Sequence, residues 1–225
     1  MRRFTDRTEA GRELAAMLHC FAHNPDVVVL GLSRGGVPVA RVVAEELDVP
    51  LDVLVVRRLV LGGNDAYPIG AVAAGDQTTI DWRTADVLRI SDTAIDALVA
   101  RERDAMSRAD RMYRSVKAPL DVAGSTVILV DDGLASGTTM STAIATVRKE
   151  QPARVIVTAP IASRQAEEVI RRQADAAVFA YTPARMYDID LWYEDFPPVS
   201  DAEVVRMLRS DAGRRVTTTR IAAHA

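Results

Sequence analysis

Cysteine is all but missing from this chain of 225 residues: Cys20 stands alone, so no internal disulfide can form and a reducing compartment is the expected setting. Charge of one sign is lacking as well. The formal net charge is -3, which leaves no broad basic field to grip a nucleic-acid backbone, although a local anion site stays compatible with it. No apolar run approaches the roughly 20 residues of a membrane helix. Met1–Asp6 is charged and has no apolar signal core. A cytoplasmic protein without membrane or nucleic-acid partners is therefore expected. Histidine is scarce; His19 and His23 flank Cys20, too few ligands for a closed zinc site, and read as helix surface. No Gly-Lys pair occurs, which removes the phosphate loop G-x-x-x-x-G-K-[ST].

What is present suits a folded chain with one full core and a small appendage: 48% of residues are hydrophobic and 26% charged. Asp6 with Glu9 signals a helix start, and Leu14, Met17, Leu18 and Phe21 share one helical face. Val27–Leu32 reads as a buried strand, Ser33-Arg34-Gly35-Gly36 as a turn, and Val37–Leu47 as a helix. Leu51–Val56 reads as a second strand, closed by Arg57 and Arg58. Gly62, Gly63 and Asn64 signal a turn, Ile69–Ala74 and Thr78–Trp82 short strands, and Ser91–Arg114 a largely exposed helix. After the connector Lys117–Gly124, the pattern becomes regular: strand Val127–Val130, a helix to about Glu150, strand Val155–Pro160, helix Ser163–Gln173, strand Ala176–Tyr181. Pro183–Pro198 is aromatic and irregular, and Ser200 with Glu203 forms a capping box for a helix through Leu208. From Ala212 the apolar period is lost, and a flexible tail is expected. Strands alternating with helices predict an α/β fold with a mostly parallel sheet and right-handed crossovers.

One segment carries chemistry. Val127–Val130 is apolar throughout, the pattern of a strand buried on both faces. It delivers Asp131 and Asp132 to its carboxyl end, the edge where ligands bind in open α/β sheets. The small residues Gly133, Ala135, Ser136 and Gly137 follow, so that backbone N–H groups can approach an anion. A helix then starts at Thr138 and Thr139, and its N-terminus favours phosphate. Carboxylates suit a diol that donates two hydrogen bonds, whereas the loop suits a phosphate. Together they describe a ribose 5-phosphate.

The segment resembles the 5-phosphoribosyl-1-pyrophosphate (PRPP) motif of the type I phosphoribosyltransferases. The resemblance implies that fold, with a small C-terminal hood. It implies that Asp131 and Asp132 take the ribose hydroxyls, and that Ala135, Ser136, Gly137, Thr138 and Thr139 take the 5′-phosphate. Ser33, Arg34, Gly35 and Gly36 occupy the place of the family's pyrophosphate loop, and Arg57 and Arg58 that of a basic pair touching pyrophosphate. Magnesium is the implied cofactor, with Asp131, Asp132 and Asp195 as candidate ligands, directly or through water. The implied layout is a core over residues 1–182 with a mobile arm within about 60–118, a hood over 183–210, and a tail over 211–225. Tyr187 and Trp192 in the hood offer stacking faces for an acceptor, although a packed aromatic cluster fits the same residues. Ala135 stands where hypoxanthine-type members carry an aspartate, which disfavours an oxopurine acceptor dependent on that acid. The implied partners are PRPP and a nitrogenous small molecule, with a homodimer common in the family.

The chain as a whole, over about residues 4–208, is similar to a small group of bacterial phosphoribosyltransferase-domain proteins of uncertain substrate. The marks are Arg57-Arg58-Leu59, Gly63-Asn64, Ile69-Gly70-Ala71-Val72-Ala73 and Trp192-Tyr193-Glu194-Asp195-Phe196. It departs from the group at Ala66, where an acid is usual. Two other functions stay open. A PRPP-binding regulator could use the same fold. Gly31-Leu32-Ser33-Arg34-Gly35 also fits the G-x-S-x-G elbow of α/β-hydrolases, with Ser33 as nucleophile. That chemistry needs a later histidine, and only His224 follows.

Overall fold

Runs of β-branched residues set the centre of the molecule. The computed structural model describes residues 3–61 and 68–211. In chain order its elements are α1 (Arg7–Met17), β1 (Val27–Leu32), α2 (Gly36–Leu47), β2 (Leu51–Leu54), β3 (Val56–Val60), β4 (Pro68–Ala73), β5 (Gln77–Ile80), α3 (Trp82–Val87) and α4 (Asp92–Arg114). β6 (Thr126–Val130), α5 (Thr138–Lys149), β7 (Arg154–Ile161), α6 (Arg164–Arg171), β8 (Ala176–Tyr181) and α7 (Asp201–Asp211) follow. Among the described residues no helix is long and apolar enough to cross a membrane.

Five strands form a parallel sheet in the order β2-β1-β6-β7-β8. Alternation along each strand feeds two apolar layers. Val27, Val29, Ile128 and Val130 face Leu14, Val39, Val43 and Leu47 of α1 and α2. Val28, Leu30, Leu129 and Val157 face Met140, Ile144, Val147 and Ile170 of α5 and α6. From β1 the chain winds one way to β2, and from β6 the other way to β7. The strand order therefore reverses between β1 and β6, which is where a crevice opens in doubly wound sheets. Gly31 is paired with Val130, so the residues that follow each strand emerge side by side.

β3, β4 and β5 form a separate antiparallel sheet. Leu59, Ile69 and Val72 on one face pack with Ala85, Ile95 and Leu98 of α3 and α4. Val56, Ala71 and Ala73 on the other join the main core beside α5. Residues 56–114 thus have an apolar core of their own.

Two expectations need correction. The apolar run Leu51–Val56 is not one strand. β2 ends at Leu54, and β3 begins at Val56 in the other sheet. The run stays apolar through the corner because Val53 and Val55 are buried against Tyr113 and Leu208, while Val56 enters the main core. Arg57 and Arg58 therefore lie inside β3, opposite Val72 and Ala71, rather than at the end of a core strand. Thr78–Trp82 is also shorter as a strand than expected. Asp81 accepts from the Thr84 amide and caps α3, a local hydrogen bond that competes with strand pairing. The Gly62-Gly63-Asn64 turn, Ala66 and the tail from Ala212 lie outside the described residues.

A buried ion pair ties α4 to the sheet. Asp52 is 3% exposed. It accepts from Arg114 Nη1 at 2.7 Å and from the Leu120 amide at 3.0 Å, while Arg114 Nη2 reaches the Val53 carbonyl at 3.0 Å. Removing one partner leaves a buried charge uncompensated. Arg114→Met is expected to cost about 3 kcal/mol in urea unfolding. Arg206→Met, at an exposed pair with Glu203, should move stability by no more than about 0.5 kcal/mol.

Candidate functional site

The two loops leaving β1 and β6 touch, and two glycines make the contact possible. A Cβ on Gly35 would lie 2.1 Å from Asp132 Oδ2, and one on Gly36 would lie 2.6 Å from the Val130 carbonyl oxygen and 2.8 Å from Asp131 Cα. Only a bare backbone fits there. The Ser33 amide donates to the Leu54 carbonyl at 3.1 Å, which pins the start of the turn to β2. The Ser33–Arg34 peptide is cis. Residues 33–36 and the acid pair thus form one surface.

The loop after the acids is anchored at one point and open beyond it. Leu134 is buried, donates to Ile161 and accepts from Ser163. The Ser163 hydroxyl donates to the Ala135 carbonyl. Ile189 sits directly on Gly133, with its Cγ2 2.6 Å from where a Cβ would be. Ala135 and Ser136 are exposed. Gly137, at φ +80°, turns the chain into α5 and provides no side-chain cap. A left-handed residue here favours glycine. The Thr138 amide donates to the Ser136 hydroxyl at 3.3 Å, and the first-turn N–H groups beyond it are left for an anion. The Ser136 and Thr138 hydroxyls lie 3.1 Å apart at the same end.

The acids differ in their surroundings. Burial, and then the adjacent Asp132 carboxylate, push the Asp131 carboxyl well above its ordinary range; the Asp132 amide and the charge of Arg58 pull the other way. Asp132 is held from two sides. Arg7 donates to Asp132 Oδ2 through Nε at 3.0 Å and Nη2 at 2.8 Å, and the Tyr193 hydroxyl donates to the Asp132 carbonyl at 2.7 Å. Burial also drives the Tyr193 phenol far up, which keeps it a donor.

The other expected residues are placed as follows. Arg34 is half-exposed, and its Nη1 lies 3.9 Å from Asp201, whose carboxylate accepts from Tyr113 of α4. Arg57 is bound to Glu102 of α4 at 3.0 Å. Arg58 is exposed on β3. Tyr187 is 82% exposed. Trp192 is not available as a stacking face: it is buried with Phe4, Tyr181 and Tyr193, so the packed-cluster alternative describes it better. Asp195 is exposed and its amide donates to Thr5, and no cluster of three metal-ligating side chains occurs among the described residues. No histidine follows Ser33 among the described residues. His23 bonds Asp48 ahead of β1, at the opposite edge of the sheet.

The hold that Arg7 and Tyr193 have on Asp132 escaped the sequence reading. Their link to Asp132 spans 125 and 61 residues, beyond any local pattern. One local signal existed for Arg7. It follows the N-cap Asp6, where a cation opposes the helix dipole, so it must serve something other than its helix.

A family model described as "Phosphoribosyl transferase domain" matches residues 5–181. Two Mycobacterium tuberculosis proteins (strains H37Rv and CDC 1551), provisionally named phosphoribosyl transferases, are each 33% identical over 208 residues, or 92% of this chain and 47% of theirs. The chain thus spans about half the length of these curated relatives. The crystal structure of TT1426 from Thermus thermophilus superposes with a TM-score of 0.76 at 36% identity, covering 95% of this chain and all of that one (100%).

The shifted Asp131 has a consequence for stability. A carboxyl whose folded pKa is raised favours folding while protonated, and that contribution is lost as pH rises through the folded value. Above the ordinary carboxylate range the group is a net cost to folding, met either as a desolvated charge or as the uptake of a proton. Asp131→Asn is therefore expected to raise the stability of the ligand-free protein by about 1 kcal/mol at pH 7 to 8. The gain should vanish at pH values low enough to protonate Asp131 in both states, as read by thermal melts across pH.

Proposed function

Because the chain belongs to the phosphoribosyl transferase domain family and has the type I fold, we propose that it is a Mg²⁺-dependent phosphoribosyltransferase, exchanging the pyrophosphate of PRPP for a nitrogenous small-molecule acceptor. The observation that carries this reading is the shared surface of the Ser33–Gly36 turn and the Asp131–Asp132 pair, continuous with the small-residue loop that opens α5. In this reading, Asp131 and Asp132 accept hydrogen bonds from the ribose diol. The amides and hydroxyls over 135–139 donate to the 5′-phosphate. The amides of residues 33–36 lie on the pyrophosphate side, with Arg34 and Arg58 as nearby cations. As the C1–oxygen bond breaks, negative charge grows on the leaving pyrophosphate and positive charge on the ribose, and fixed dipoles placed beforehand lower the barrier.

Magnesium fits the hard oxygen donors here, but only as an ion arriving with substrate. Mg²⁺ keeps waters and takes few protein carboxylates, and Asp132 already gives one oxygen to Arg7. Asp131 would hold it, directly or through water; when bound, the ion neutralises pyrophosphate charge. Ala135 offers no carboxylate, so the acceptor is one that does not rely on an acid at that position. The regulator reading differs in its lack of turnover. The test is calorimetric titration with Mg²⁺ and PRPP, followed by an acceptor panel assayed for pyrophosphate release. Saturable binding is expected, with release for at least one acceptor. Asp131→Asn should weaken binding about 10- to 100-fold, the worth of a hydrogen bond to a charged group, even while it stabilises the empty protein. Binding without release across the panel would favour the sensor, and no binding would sink both.

A further inference from the structure

We propose that Arg7 is a positioning residue for the ribose-binding acids: its guanidinium, seated on Phe196, holds Asp132 by one oxygen and leaves the other for the ligand. This rests on the function proposed above, and the geometry makes it specific. Both Arg7 bonds end on Asp132 Oδ2. Asp132 Oδ1 is not engaged by Arg7, and the other side chain bonded to the Asp132 carboxyl is that of its neighbour Asp131. The third arm of the guanidinium donates through Nη1 to the Pro197 carbonyl at 2.8 Å, and its carbon lies 3.7 Å from the Phe196 ring centroid. Phe196 in turn stacks on Tyr193, at 4.6 Å between centroids, and Tyr193 holds the Asp132 main chain. Asp132 is thus fixed at its carboxylate and its carbonyl by residues that come from opposite ends of the described chain.

The arrangement has an electrostatic side. Two adjacent carboxylates would repel a substrate that carries phosphate and pyrophosphate. The side chains of Arg7 and Asp132 are only 10% and 13% exposed, so solvent screens their attraction weakly. A cation here offsets one of the two negative charges and leaves Asp132 an acceptor for a hydroxyl. Lysine cannot reproduce the planar donor pair or the seat on the ring.

The experiment compares Mg²⁺–PRPP binding by the whole chain, by calorimetry, in wild type, Arg7→Gln, Arg7→Lys and Arg7→Ala, with melting temperatures measured in parallel. Arg7→Gln and Arg7→Ala are expected to bind on the order of 30-fold more weakly, the usual loss when one partner of a buried charge pair is truncated. Arg7→Lys should recover only part. Added ethylguanidinium should restore most of the binding to Arg7→Ala, and this is the readout a merely structural residue would not move. Folded variants that bind like wild type overturn the assignment. So does ethylguanidinium that raises the melting temperature without restoring binding, or failure of all three variants to fold. If wild type itself binds no PRPP, the proposed function fails and takes this inference with it, an outcome separable from a defect confined to the variants.

Discussion

The site depends on the absence of two side chains. β1 and β6 run as neighbours with Gly31 opposite Val130, so the loops that follow them must share one small space. They can do so only because Gly35 and Gly36 present bare backbone to Asp131 and Asp132. Any Cβ would drive the turn away from the acids and separate the amides of one loop from the carboxylates of the other. The parallel sheet sets the direction of approach and the glycines set its distance. The first turn of α5 then extends the same surface beyond the end of β6.

Such closeness concentrates negative charge, and the fold answers with cations drawn from distant segments. Arg7 comes from α1 and Arg58 from the second sheet. Burial leaves Asp131 costly to ionise in the empty protein. A site that gives up stability in this way is what a binding reading predicts, because the groups that a ligand must satisfy are strained without it.

Much of the core could be read from the chain because buried parallel strands announce themselves. Val27–Leu32 and Ala176–Tyr181 lie where their apolar runs put them, and the acid pair with its small-residue loop is contiguous, so its geometry is encoded within a dozen or so residues. Reading failed where one signal served two structures. The run Leu51–Val56 is apolar throughout because it passes between two buried environments, and hydropathy holds no mark of the corner. Tyr187 and Trp192 look alike as stacking candidates, yet a parallel bridge from Phe4 to Tyr193 draws Trp192 into the core and leaves Tyr187 exposed.

That bridge changes how the irregular segment before α7 should be regarded. The Phe4 amide donates to Trp192, and Glu194 and Asp195 donate back to Phe4 and Thr5. Residues 4–7 thus run from a strand-like pairing with this segment straight into the helix turn that bears Arg7. A displacement of either partner would be felt at Asp132 through the Arg7 guanidinium, the Tyr193 hydroxyl and the Ile189 contact on Gly133. The opposite wall is tied differently: Arg34 leans toward Asp201 at 3.9 Å, an ion pair with enough exposure for solvent to weaken it. In the proposed reading this asymmetry has a physical sense. The sugar must stay in one place while a bond is exchanged, so its acids are clamped by buried bonds. Pyrophosphate must leave, so Arg34 on its side is held only by a pair that a competing anion can break.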